Sequence, residues 1–210
     1  MRLLLCILLI TATLAHAQAP NYDTEFRSAH QLYQRAADGE KSATRDAESA
    51  LASLAEQYPN DPVAQLLHGS SRTLRGRDAW MPWNKLSYTE DGLEQMSDAL
   101  SLLGDEHWDY HFDSLPIPVY VRMVAGINFV EVPDMFGRFE QGFELLQQLS
   151  EDPAITSLPT DVQSLIHYYA ARAADKASEE SVRQQALQHL FALGADDRYS
   201  QLARDRWGQE

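Results

Sequence analysis

Residues 59–74 read PNDPVAQLLHGSSRTL, and within that short run the chain ends one helix and begins another. Pro59 closes the pattern before it, because proline has no amide hydrogen and its ring collides with the preceding helical turn. Asp61 stands where a side-chain oxygen can accept from the free amides of a new first turn, and Pro62 has its φ already set for that turn. Val63, Leu66, Leu67, Ser70 and Leu74 then recur at three-four spacing, which places them on one face of a helix over 62–76.

The same pattern repeats in both directions. Upstream, Phe26, Ala29, Leu32, Tyr33 and Ala36 mark a helix over 22–37, stopped by Asp38-Gly39, and Ala47, Ala50, Leu51, Leu54 and Ala55 mark another over 41–57. Downstream, Gly76 to Leu86 reads as a long aromatic connection, and Ser87 or Thr89 opens a helix to about 103. Residues 104–114, GDEHWDYHFDS, read as an acidic and aromatic linker or a short helical turn. The stretch 116–129 is apolar almost all round and is expected to be the most buried element. Pro133 to Gly137 breaks the chain before a helix over 138–150, and Pro153 and Pro159 bracket a loop before another over 160–175. Ser178 is expected to cap a helix over 179–194, and 199–207 supplies Leu202 and Trp207 as a lid.

Strand-like alternation is nearly absent. An amphipathic hairpin cannot bury its own apolar face, so neighbouring hairpins must stack. The expected fold is therefore all-α: a right-handed helical-hairpin repeat solenoid of about four helix pairs plus a short C-terminal helix, with a concave inner side. The pairs are unevenly spaced, which fits degenerate repeats or a one-off bundle better than a consensus array.

The N-terminus reads MRLLLCILLITATLAHAQAP. Arg2, the apolar run Leu3 to Leu14 and Ala15-His16-Ala17 have the order of an export signal, with cleavage expected after Ala17. The apolar run rises only about 18 Å as a helix against an apolar bilayer core of roughly 30 Å, so it does not suit a permanent anchor. Cys6 is the only cysteine and is expected to leave with the signal, so residues 18–210 form one helical domain with neither a disulfide nor a thiol nucleophile. The expected location is periplasmic or secreted, with no membrane insertion of the mature chain. With 17 Lys+Arg against 31 Asp+Glu, the net charge is -14, a field that repels nucleic acid and anionic lipid.

Pro59-Asn60-Asp61-Pro62 followed by Val63-Ala64-Gln65-Leu66-Leu67-His68-Gly69 resembles a boundary between tetratricopeptide repeats. In that family a Pro closes one repeat, and a small residue eight positions into the next helix lets its partner approach, the role that falls to Gly69 or Ser70. The segments Arg75-Gly76-Arg77-Asp78-Ala79-Trp80, Pro82-Trp83 and Phe136-Gly137-Arg138 are similar to those of small exported bacterial proteins known only as tetratricopeptide-like. The resemblance implies TPR-like protein or peptide binding, or scaffolding of an envelope complex, with no enzymatic activity and no cofactor.

Arg72, Arg75, Arg77, Asp78, Trp80, Trp83 and Lys85 form the leading candidate surface, expected to line a concave groove. Guanidinium forks can grip a carboxylate while indoles form stacking walls; the competing reading has Arg77 and Asp78 pinning a loop whose tryptophans fill the space between repeats. Arg122, Asn128 and Arg138 form a second group. Arg122 interrupts an apolar helix and needs a partner there, with Glu131, Asp134, Glu94 or Asp98 in reach by sequence, and Asn128 is expected to bond the Val130–Gly137 loop. In His107 to Asp113, an extended chain would turn His107, Asp109, His111 and Asp113 to one side, as a divalent metal requires. No nucleophile elbow, phosphate-binding loop or dinucleotide fingerprint is present. Glu140 with Glu144, and Asp91 with Glu94, leave a carboxylate-dependent cell-wall or glycan hydrolase as the enzymatic alternative, beside a metal-binding periplasmic protein.

Overall fold

The computed structural model describes residues 26–208; the expected export signal, Cys6 and the start of the first helix lie outside the described residues. The helices are α1 (Arg27–Ala37), α2 (Lys41–Gln57), α3 (Pro62–Asp78), α4 (Pro82–Ser101), α5 (Ile117–Glu131), α6 (Phe139–Glu151), α7 (Thr160–Ala177), α8 (Glu180–Ala192) and α9 (Arg198–Trp207). Successive helices pack as hairpins, α1 on α2, α3 on α4, α5 on α6 and α7 on α8, and α9 closes the C-terminal end. This is an all-α, right-handed helical-hairpin solenoid. Among the described residues no helix is long and apolar enough to cross a membrane.

Local chemistry accounts for most of the boundaries. The Asp61 side chain accepts from the Ala64 amide at 2.8 Å, with Pro62 in the first turn of α3. Asp197 does the same for α9, accepting from the Tyr199 and Ser200 amides at 2.9 Å each.

Three boundaries differ from the sequence reading. The connection expected over Gly76–Leu86 is only Ala79 to Met81, because Pro82 starts α4 rather than belonging to a loop. Gly76 ends nothing: a side chain there would run into the Thr89 hydroxyl on α4, so this glycine serves close packing inside α3. Ser178 does not cap α8 but ends α7, at φ +61, with Glu179 in the capping position.

The 104–114 segment folds as a 3-10 turn over Asp105–Asp109 and a two-residue antiparallel pair, β1 (His111–Phe112) with β2 (Leu115–Pro116). Asp113 and Ser114 make the tight turn between them with φ of 51° and 66°. The turn puts Phe112 and Leu115 into the core.

That core begins at Phe26 and runs through Leu51, Leu66, Met96, Ile117 and Phe129 to Ile166. A second cluster joins α5 and α6 to α7–α9, from Leu146 through Ala171 and Leu190 to Trp207. The expected burial of α5 is observed on most of its surface. Trp207 is buried against Tyr168, their ring centroids 5.9 Å apart, and acts as the expected lid, whereas Leu202 stays exposed.

α1, α3 and α5 pack side by side, and the face expected to form an open groove is filled there over the first three hairpins. Tyr33 of α1 bonds Ser70 of α3 at 2.9 Å, and Tyr120 of α5 reaches His30 of α1 at 3.3 Å. The Phe112 ring packs edge-on against both His30 and Tyr120, with centroids 4.9 and 4.8 Å apart. Bulky aromatics on α1 and α5 thus meet across α3. The open clefts lie instead along the edge where each hairpin makes its turn.

Candidate functional site

The candidate cluster sits at the α3–α4 corner of that edge and divides in two. Arg72 and Arg75 share a face of α3, as their spacing requires, and both turn toward α2 and α4. Arg72 pairs with Asp91 and with Glu48 at 3.4 Å, Arg75 with Glu48 at 3.5 Å, and both guanidinium groups lie over the Tyr88 ring at 5.5 and 5.3 Å. Arg77 grips Asp78 with two bonds of 2.9 Å and donates to the Ala36 carbonyl at the end of α1, also at 2.9 Å. Asp78 accepts from Thr44 of α2 at 2.7 Å. The Arg77 hydrogen bonds hold the Asp78 carboxyl below its ordinary range against the opposing effect of burial, and Thr44 adds to this. Lys85 donates to the Arg77 carbonyl at 3.3 Å.

These charged groups therefore tie α1, α2 and α4 to α3. The indoles do the opposite: Trp80 is 88% exposed and Trp83 is 62% exposed. They fill no space between repeats. Their burial by something else would be worth on the order of 2 kcal/mol each.

Three clefts follow one another along the edge. The first, between hairpins one and two, has a volume of about 540 Å³ and is lined by Lys41, Arg45, Arg75, Asp78, Trp80 and Tyr88 among others. The second, between hairpins two and three, measures about 450 Å³ and is walled by Leu74, Leu86, Val132, Pro133, Met135 and Phe136. Met135 is 72% exposed at its mouth, and Trp83 lies one helical turn from Leu86, so apolar surface extends along this corner. The third, about 480 Å³ between hairpins three and four, contains Arg172, Lys176 and Arg206. Each of these cations is already paired, with Glu131, Asp134 and Asp175 at 2.7, 2.5 and 2.7 Å.

Arg122, Asn128 and Arg138 do not come together. Arg122 finds none of the acids expected for it; it is half-buried and lies over the Trp108 ring at 5.8 Å, so the guanidinium keeps some water and needs no carboxylate. The side chain of Asn128 bonds α3 rather than the Val130–Gly137 loop, which the residue meets only through its backbone carbonyl, accepting from the Val132 amide at 3.2 Å. Its side-chain oxygen accepts from Thr73 at 3.2 Å and Ser70 at 3.4 Å, and its amide nitrogen donates to the Val124 carbonyl at 2.8 Å. Arg138 bonds Ser97 at 3.2 Å and lies over Phe129 at 5.9 Å. Asn128 thus joins α5 to α3, and Asn128→Ala is expected to cost about 1 kcal/mol by removing this link, while the Thr73 hydroxyl keeps the Ser70 carbonyl at 2.7 Å and the Ser70 hydroxyl keeps Tyr33 at 2.9 Å. A urea midpoint unchanged from wild type would contradict that role.

The 3-10 turn breaks the alternation that would align His107, Asp109, His111 and Asp113, and His107 Nδ1 instead accepts from the Gly104 amide at 2.9 Å. Among the described residues no three His, Asp or Glu side chains converge on a metal position. Asp91 is engaged with Arg72, and Glu94, Glu140 and Glu144 line none of the three clefts. A general acid requires a raised pKa; Asp78, in the first cleft, is shifted the other way. Sequence reasoning missed Lys41 and Arg45, which share the first cleft with Trp80, and Met135 and Phe136, which wall the second; all four sit in ordinary helical and turn patterns and reach the edge only through packing.

No family model matches the chain, and neither a curated protein nor a solved structure does. The architecture is that of a helical-hairpin repeat, and the class it defines is a repeat scaffold with an exposed aromatic edge.

Proposed function

We propose that this protein is a non-enzymatic protein- or peptide-binding scaffold of the bacterial cell envelope, TPR-like in architecture, which works in the periplasm or outside the cell after export. The observation that carries the reading is the exposure of the Trp80 and Trp83 indoles between two open clefts. Tryptophan is enriched among residues that dominate binding energy, and adjoining exposed apolar side chains mark contact surfaces. The location rests on the export-type N-terminus. The binding surface is the hairpin-turn edge, because the inner face of the first three hairpins is occupied by the protein's own aromatic side chains.

The test compares partner recovery from native envelope extract by wild type, Trp80→Ala and Trp83→Ala. Both variants are expected to unfold at the wild-type midpoint, since neither indole packs in the core, and to lose a partner that wild type retains. Equal recovery of every partner by all three proteins would remove the edge as the site.

A further inference from the structure

We infer that the cleft between the first two hairpins takes an acidic peptide segment, read by Lys41 and Arg45 and stacked on Trp80; this rests on the reading of the hairpin-turn edge as a protein-binding surface. The argument starts from a difference in ion pairing. In the cleft between hairpins three and four, each of Arg172, Lys176 and Arg206 has a carboxylate partner. In the first cleft Arg75 is engaged by Glu48, but Lys41 and Arg45 are exposed and make no ion pair among the described residues. Asp46 and Asp78 also line this cleft. Asp78 is already bound to Arg77 and Thr44 and also feels the Lys41 charge, so the cleft groups without an ion pair among the described residues are two cations, Lys41 and Arg45, against one carboxylate, Asp46.

Placement on the helix points the same way. Lys41 is the first residue of α2, and Arg45 lies one turn on, beside it on the same face. A cation at a helix N-terminus is opposed by the helix dipole, so this position is poor for stability. The chain as a whole, at net -14, opposes an acidic partner, so the attraction comes only from the cations at the cleft itself and is short-ranged in salt. The exposed Trp80 ring lies at the same cleft, and Tyr88 lines it as well, giving apolar contact for the segment between its carboxylates. A volume of about 540 Å³ suits a short stretch of peptide.

The test uses fluorescence anisotropy with a short labelled peptide, blocked at both ends, in which aspartates alternate with leucines. A second peptide carries asparagine in place of each aspartate. The acidic peptide is expected to bind about tenfold more tightly than its neutral analogue, with the difference shrinking as salt is raised. In the doubly substituted Lys41→Glu, Arg45→Glu protein that difference is expected to vanish, while the protein stays folded with a midpoint close to wild type, since the helix dipole favours the charge at position 41 and the neighbouring Asp46 and Asp78 oppose it. Equal binding of both peptides, binding of neither, or an undiminished preference in the charge-reversed protein would each overturn the inference. Native partners separate this failure from failure of the broader reading. If Trp80→Ala or Trp83→Ala loses a partner that the charge-reversed protein keeps, the edge binds protein but its ligand is not acidic; if none of the three variants loses one, both readings fall.

Discussion

Gly92→Ala is expected to destabilise the protein by about 2 kcal/mol, although alanine is the better helix former. The gain in helix propensity is at most about 1 kcal/mol. Against it stands a backbone-to-backbone contact between α3 and α4. A Cβ on Gly92 would lie 2.5 Å from the Gly69 carbonyl oxygen and 2.9 Å from Thr73 Cγ2, and one on Gly69 would lie 2.7 Å from the Gly92 carbonyl oxygen. Backbone atoms cannot swing aside as the end of a flexible side chain can. α4 must therefore move off α3, and overpacking of this kind costs typically 1–3 kcal/mol, the larger values applying where the neighbour is rigid. The movement would also strain the ion pairs from Arg72 and Arg75 that tie α2 and α4 to α3. Gly69→Ala relieves nothing, but it acts on the same crossing. Once either substitution has pushed the helices apart, the second should add less than its separate cost, so a double-mutant cycle should show coupling. Thermal or urea unfolding of the two single variants and the double variant measures this. A midpoint equal to or above wild type for Gly92→Ala would show that the crossing has slack.

The small residue in α3 was legible as Gly69 or Ser70 only through the resemblance of 59–69 to a repeat boundary, and the contact with α4 falls to Gly69; the Asp61 cap and the Pro59 stop are local information. Gly92 and Gly76 were not legible. A glycine needed for close approach looks in sequence like a glycine that ends a helix, and only the partner helix tells them apart. The same confusion turned Trp80, Pro82 and Trp83 into a long loop, although a proline suits the first turn of α4. The candidate cluster was recognisable as a group of residues but not in its division of labour. Whether Arg72 is free or engaged depends on Glu48 and Asp91, and Arg77 depends on the Ala36 carbonyl at the end of another hairpin. Such pairings follow from how hairpins stack, which uneven repeats do not reveal. The filled inner face has the same origin: His30, Phe112 and Tyr120 meet only when α1 and α5 close across α3. An amphipathic pattern fixes which face is buried, but not how tightly the solenoid curls.

Packing of α7 between α6 and α8 buries a titratable group whose cost should appear as pH dependence. His167 is buried beneath α8, with Nδ1 bonded to the Ser150 hydroxyl at 2.8 Å and its ring 5.3 Å from that of His189. Burial, with a smaller contribution from His189, pushes its pKa down from 6.5 to about 4. In the folded protein His167 is therefore neutral at a pH where the unfolded chain already holds a proton. Stability is complete above about pH 6.5 and falls as pH drops toward 4, because the unfolded state binds more protons across that window. A shift of this size corresponds to about 3 kcal/mol, and a loss on the order of 2 kcal/mol is expected once water entry and relaxation around the charged ring are allowed for. Burial also lowers the pKa of His30, against the raising effect of Asp113, and that of His68, with Arg72 adding to the effect, so both contribute in the same direction. Glu40 and Asp78 are held low by Arg35 and Arg77, and their contribution is lost at the acid end of this window and below it. His167→Gln keeps a hydrogen-bonding partner for Ser150 but cannot titrate. Urea midpoints measured between about pH 4.5 and 7 should fall more steeply for wild type than for this variant. Parallel curves would mean that the imidazole takes up its proton without opening the α6–α7–α8 packing, and that the buried Ser150–His167 pair does not set the acid limit of the fold.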